Sequence, residues 1–119
     1  MELNLKKGLM LGDEPQTSVK LRELTTGDML DAELAAERLV QDKDGNPVLL
    51  VSQTLFSYEL LRRQIASIGD IQGPISLGQL RQLTPEDLAL INAALSTQEQ
   101  AKAQQVLDRG RLAATGEGV

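Results

Sequence analysis

Apolar and polar positions alternate at the start of the chain. Leu3 and Leu5, then Leu9 and Leu11, are separated by polar neighbours, with Gly8 between the two pairs. Period-two alternation is the mark of a half-buried strand. Gly12-Asp13-Glu14-Pro15-Gln16 has the composition of a turn. Ser18 to Leu24 alternates again, with Val19 and Leu21 on the inward side. The pattern predicts a short antiparallel hairpin or meander, which needs helices against its apolar face to be stable.

From Thr25 the period lengthens. Thr25-Thr26-Gly27-Asp28 has capping-box spacing, so a threonine hydroxyl and the Asp28 carboxylate can satisfy the free N–H groups of a first turn. The helix it opens is expected to reach about Val40. Met29, Ala32, Ala36, Leu39 and Val40 then share one stripe about 100° wide, the width of a core-facing helix surface. Leu30 and Leu34 fall off that stripe, beside Glu33 and Glu37, and either cover a neighbouring loop or belong to a partner surface. Residues 41–47 read as a loop. Aligned as a calcium loop with Gly45 as its turn glycine, they put Val40 and Val51 at ligand positions, so that reading fails.

Residues 48–68 are expected to form a second helical stretch with Tyr58, Leu61, Ile65 and Ile68 on one face, closed by Gly69. Tyr58 reads as a core-edge residue with its hydroxyl reaching water. Residues 69–75 read as a loop, without the glycine spacing of a phosphate cradle. Ser76-Leu77-Gly78-Gln79 opens a short helix to about Leu83. Thr84-Pro85-Glu86-Asp87 then combines a cap, a first-turn proline and first-turn acids. Leu88, Ile91 and Leu95 form the stripe of the helix that follows. That stripe breaks at Ser96, where Ser96-Thr97-Gln98-Glu99 again has capping-box spacing. Residues 97–109 carry few anchors, namely Ala101, Val106 and Leu107, and Gly110 onward reads as a frayed tail. The fold class expected is α+β: a small N-terminal antiparallel β-hairpin or meander packed against four or five helices, mostly helical overall. Residues 1–95 are expected to form one compact domain, followed by a weakly anchored C-terminal helix and tail over 96–119.

Composition narrows the chemistry. The 119 residues include no Cys, His or Trp, which removes ordinary catalytic triads, thiol nucleophiles and zinc sites. Carboxylates are the only acid–base candidates, and pairs such as Asp28/Asp31 or Asp42/Asp44 have no spacing that singles them out. No enzymatic activity, metal or cofactor is expected. A net charge of −5 disfavours nucleic-acid binding, which rests on Lys and Arg displacing counterions. The longest apolar run, Val48–Val51, is far too short for a membrane span. The N-terminus lacks the layout of a signal peptide, so a soluble intracellular protein is expected. Most of the charge sits in residues 25–47, where Arg38 and Lys43 face Asp28, Asp31, Glu33, Glu37, Asp42 and Asp44.

The order of motifs carries a resemblance. Leu21-Arg22-Glu23-Leu24-Thr25-Thr26-Gly27-Asp28 matches an L-R-x-[LP]-T-x-G-D segment, and Leu80-Arg81-Gln82-Leu83-Thr84-Pro85-Glu86-Asp87-Leu88 contains an L-x-x-L-[TS]-x-x-D-[LIV] segment. In this order the chain, over roughly residues 3–95, resembles the small tail assembly chaperones of Mu-like and P2-like contractile-tailed bacteriophages. The resemblance implies a non-enzymatic protein of the host bacterial cytoplasm. It would coat the long, largely helical tape measure protein until tail-tube subunits polymerise around it. The tape measure protein is thus the implied partner, with a frameshift-extended form of the chain itself and the tail-tube protein as further ones. A minor structural or adaptor component of the tail is the alternative. The family has no catalytic residues to transfer. Leu30 and Leu34, together with Ala101, Val106 and Leu107, are the candidate partner-binding residues, because each lacks an obvious intramolecular partner. Oligomeric state is left open.

Overall fold

The structure is a computed structural model that describes the backbone of residues 1–117 and the side chains of residues 1–107. Its elements divide into two compact units, Met1–Thr84 and Pro85–Val119, each taken in turn.

The first unit is built on a four-stranded antiparallel sheet. Strands β1 (Glu2–Leu11) and β2 (Glu14–Leu21) form the expected hairpin, and β5 (Ile65–Ile68) and β6 (Ile71–Gln72) extend it in the order β1-β2-β5-β6. The β1–β2 register shifts between Asn4 and Leu9. Gly8 sits in that irregularity with φ of +66°, and a Cβ there would collide with the carbonyl oxygen of Gln16. Only glycine fits. Leu5, Leu9, Val19, Leu21, Ile65, Ile68 and Ile71 are buried along these strands.

Between β2 and β5 the chain forms α1 (Thr26–Ala35), a separate two-stranded sheet of β3 (Glu37–Gln41) and β4 (Pro47–Val51), and α2 (Gln53–Gln64). α1 packs on α2, and it buries only small side chains, Ala32 and the capping Ala36. α3 (Leu77–Gln82) completes the unit with both halves of a capping box between Ser76 and Gln79. The β5–β6 turn is tied to β2: Gly69 N–H donates to Ser18 O at 2.7 Å, and Asp70 N–H donates to Gln16 Oε1 at 2.8 Å.

The second unit is one helix, α4 (Pro85–Glu117). Its start agrees with the Thr84-Pro85 signal. Asp87, Ile91 and Leu95 are buried. From Ser96 through Leu107 no side chain is buried.

The expected fold class is corrected. A small hairpin on a mostly helical body does not describe residues 1–117, which form six strands, two of which join the N-terminal hairpin from residues 65–72. The helix expected to reach Val40 stops at Ala35, because Ala36 and the tight turn near Gly45 feed a hairpin in which Leu39 and Val40 pair with Leu49 and Val48. The stretch expected to be helical over 48–68 is helical only in its middle. Ile65 and Ile68 have helix-like spacing, yet they lie in β5. The register places Leu21 opposite Ile65 and Val19 opposite Ile68, so one extra residue is inserted on β5. A bulge of this kind keeps residues three apart on one face, as a helix would. The expected helix-closing Gly69 is instead a strand turn with φ of +57°. No helix break occurs at Ser96, and the backbone stays helical from Gly110 to Glu117, where a frayed tail was expected. The last two residues of that expected tail lie outside the described residues.

Candidate binding surface

α1 is fixed at its N-terminus by a closed set of hydrogen bonds. Thr25 Oγ1 accepts from Asp28 N–H at 3.1 Å, and Asp28 Oδ2 accepts from Thr25 N–H at 2.8 Å. The Arg22 guanidinium adds a two-pronged pair, to Asp28 Oδ2 at 2.8 Å and Oδ1 at 2.9 Å. The hydrogen bonds from Arg22, then those from Thr25, hold the Asp28 carboxyl well below the usual carboxylate range, and the same pair raises Arg22. Asp28 thus serves as a structural anchor, its carboxylate held by Arg22 and the Thr25 amide.

With its entry fixed, α1 turns its large apolar residues outward. Leu30 and Leu34, one helical turn apart, are 57% and 55% exposed, and Met29 is exposed beside them. Asp31 and Glu33 on the same helix are exposed as well. Met29 was expected in the core stripe. The stripe fails because alanines make the contact, and two small residues let helices approach closely without a larger one.

The β3–β4 hairpin carries a second group that sequence reasoning missed. Leu39, Val40, Leu49 and Leu50 are all exposed. Leu39 lies opposite Leu49 on one face, while Val40 opposite Val48 and Arg38 opposite Leu50 occupy the other. The signal was present: a turn of Asp42, Asp44, Gly45 and Asn46 between apolar runs. The turn is organised by Asp42 Oδ1, which accepts from Asp44 N–H at 2.9 Å and from Asn46 N–H at 2.8 Å. That carboxylate is spent on backbone. Among the described residues no group of three or more acids is placed to hold a metal ion.

On α2, Glu59 is buried and bonded to Arg62 Nε at 2.8 Å and to Arg63. Burial pushes the Glu59 carboxyl up, but the hydrogen bonds from Arg63 and Arg62 outweigh it, and the net shift is downward. Arg62 also donates to Ile75 O at 3.2 Å. This cluster is internally paired, with Glu59 between the two arginines. Tyr58 is 40% exposed on the same helix.

On α4, Ala101 is exposed, and Val106 and Leu107 are 66% and 60% exposed. The structure therefore gathers Leu30 and Leu34 on one helix face of the first unit and leaves Ala101, Val106 and Leu107 on the helix of the second.

The first unit thus presents exposed leucines on α1 and on the β3–β4 hairpin, with exposed acids beside them. A family profile described as "Tail assembly protein gp41" matches residues 5–111, nearly the whole chain, and the chain belongs to that family. It is 61% identical over 112 residues to the "Mu-like prophage FluMu protein gp41" of Haemophilus influenzae, covering 94% of this chain and 88% of that protein. It is 46% identical over 120 residues to the "Probable tail assembly protein gp41" of Escherichia phage Mu, covering 97% and 83%. A longer protein of the same phage, "Probable tail assembly protein FS-gp41", is 47% identical over 105 residues, and the match spans 55% of its length. No solved structure matches. Among the described residues no helix is long and apolar enough to cross a membrane.

Proposed function

We propose that the chain is a non-enzymatic tail assembly chaperone that holds the phage tape measure protein soluble in the host cytoplasm until tail-tube subunits enclose it. Membership of the tail assembly family supports the setting. The observation that carries the binding role is the exposed Leu30/Leu34 pair on α1, bordered by Asp31 and Glu33. A helical client buries an amphipathic apolar face in such contacts. Flexible aliphatic side chains accept varied client sequences better than a rigid pocket does. The acids keep the complex soluble and complement basic client segments. Ala101, Val106 and Leu107 offer a second apolar contact along α4. The longer phage Mu relative supports a companion form that carries the same region.

Co-expression with the tape measure protein encoded in the same prophage tests this. The client is expected in the soluble fraction with this chain and in aggregates without it. Leu30→Ser with Leu34→Ser is expected to abolish the rescue while changing stability by less than about 1 kcal/mol, as at exposed sites. Equal client insolubility with and without the chain overturns the proposal. Mass spectrometry of purified particles is expected to find the chain absent, whereas an adaptor would be present at fixed copy number.

A further inference from the structure

Among the described residues the β3–β4 sheet has two strands, so neither outer edge is paired with a further strand. The hydrogen bonds flanking it fix which backbone groups point outward. Ser52 N–H donates to Ala36 O, and Asp42 N–H donates to Asn46 O. In an antiparallel pair, residues that exchange hydrogen bonds alternate with residues that do not. Ala36/Ser52, Arg38/Leu50, Val40/Val48 and Asp42/Asn46 are then the bonded pairs, in the observed register. Glu37, Leu39 and Gln41 turn their N–H and C=O groups away from β4. On the other edge, Pro47, Leu49 and Val51 do the same, and Pro47 has no N–H to offer.

The two edges therefore differ. Proline blunts the β4 edge, as it does on many natural edge strands. The β3 edge is exposed from Arg38 to Gln41. Among the described residues, the one outward group of this edge with another partner is the Glu37 carbonyl, which accepts from the Arg38 guanidinium at 2.7 Å.

We propose that the β3 edge pairs antiparallel with the β3 edge of a second copy of this chain, about a two-fold axis at Leu39. In that register Leu39 exchanges both hydrogen bonds with the second copy's Leu39, and Glu37 exchanges with its Gln41. Arg38 lies opposite Val40. No like charges meet. Moving the axis to Arg38 would set arginine against arginine, and moving it to Val40 would set Leu39 opposite Gln41 and break the row of leucines. The chosen register also lines up Leu49, Leu39 and their two counterparts in one row across a four-stranded sheet. Leu39, 71% exposed, and Leu49, 60% exposed, thereby gain apolar neighbours on both sides. A second copy suits this edge better than a basic client does. β3 itself carries one acid and one base, and the acids of the region lie on α1 and at the hairpin tip.

Sedimentation velocity on the full chain across the micromolar range tests the proposal. A reversible dimer is expected. Leu39→Lys and Leu39→Glu each set like charges face to face at the axis and are expected to weaken the dimer by about tenfold or more. An equimolar mixture of the two variants is expected to restore a dimer, because the opposed charges then attract. Leu39→Pro deletes only an outward N–H and is expected to weaken the dimer while circular dichroism stays that of the parent. A parent chain that is monomeric throughout overturns the proposal. So does a dimer that ignores all Leu39 variants, or variants whose mixture fails to re-associate while each remains folded.

Discussion

Two regions of the first unit are made from similar residues and end in opposite environments. β5 offers Ile65 and Ile68, both wholly buried, with β2 alongside. The β3–β4 hairpin offers Leu39, Val40, Leu49 and Leu50, all exposed. Apolarity does not separate them. What differs is the neighbour: β5 is an inner strand flanked by β2 and β6, while β3 and β4 have only each other. Apolar surface left in water costs about 25 cal/mol for each Å² that is not buried. An element that keeps such surface exposed therefore adds less to the stability of the fold than one that buries it.

The contrast can be broken by substitution. Ile68→Ala is expected to destabilise the fold by about 3 kcal/mol, since it leaves a cavity at a fully buried position. Denaturant unfolding measures this, and a change below about 1 kcal/mol would mean that β5 is no more essential than the hairpin. Acid should act through a different part of the scaffold. The Asp28 carboxyl is held below its ordinary value, so its stabilising share is complete above about pH 4 and is lost as pH falls toward the folded value. Asp28→Asn is expected to lower the Tm at pH 6 and to flatten the decline in Tm below pH 4. Some decline should persist, because Glu59 is shifted in the same direction. An unchanged acid profile in the variant would remove Asp28 from that role. The smallest effect is expected at the hairpin: Leu49→Ser should change the unfolding free energy by less than about 0.5 kcal/mol, as at other exposed positions. A large loss there would place the hairpin in the core.

Local signals were legible in the sequence, and tertiary pairing was not. The Thr25 and Ser76 caps and the Thr84-Pro85 start are visible because side chains within three residues of each other satisfy those helix ends. Leu30 and Leu34 stood off the predicted stripe, and they are exposed in the structure. Ile65 and Ile68 misled because a bulge gives a strand the spacing of a helix. Leu39 and Val40 misled because a short apolar run beyond a good helix start extends its stripe equally well on paper. The Asp42 turn that reverses the chain was read as a loop, and its role in pairing Val40 with Val48 depends on a carboxylate reaching two amides ahead.

Residues 69–76 look like the least structured connection in the first unit, yet they are clamped along their length. Asp70 is held by Gln16, Gly73 N–H donates to Ala66 O at 2.8 Å, and Ile75 O accepts a hydrogen bond from Arg62. Ile71 and Ile75 are buried. A protease needs several residues of free, extended backbone to cut, and this stretch cannot supply them.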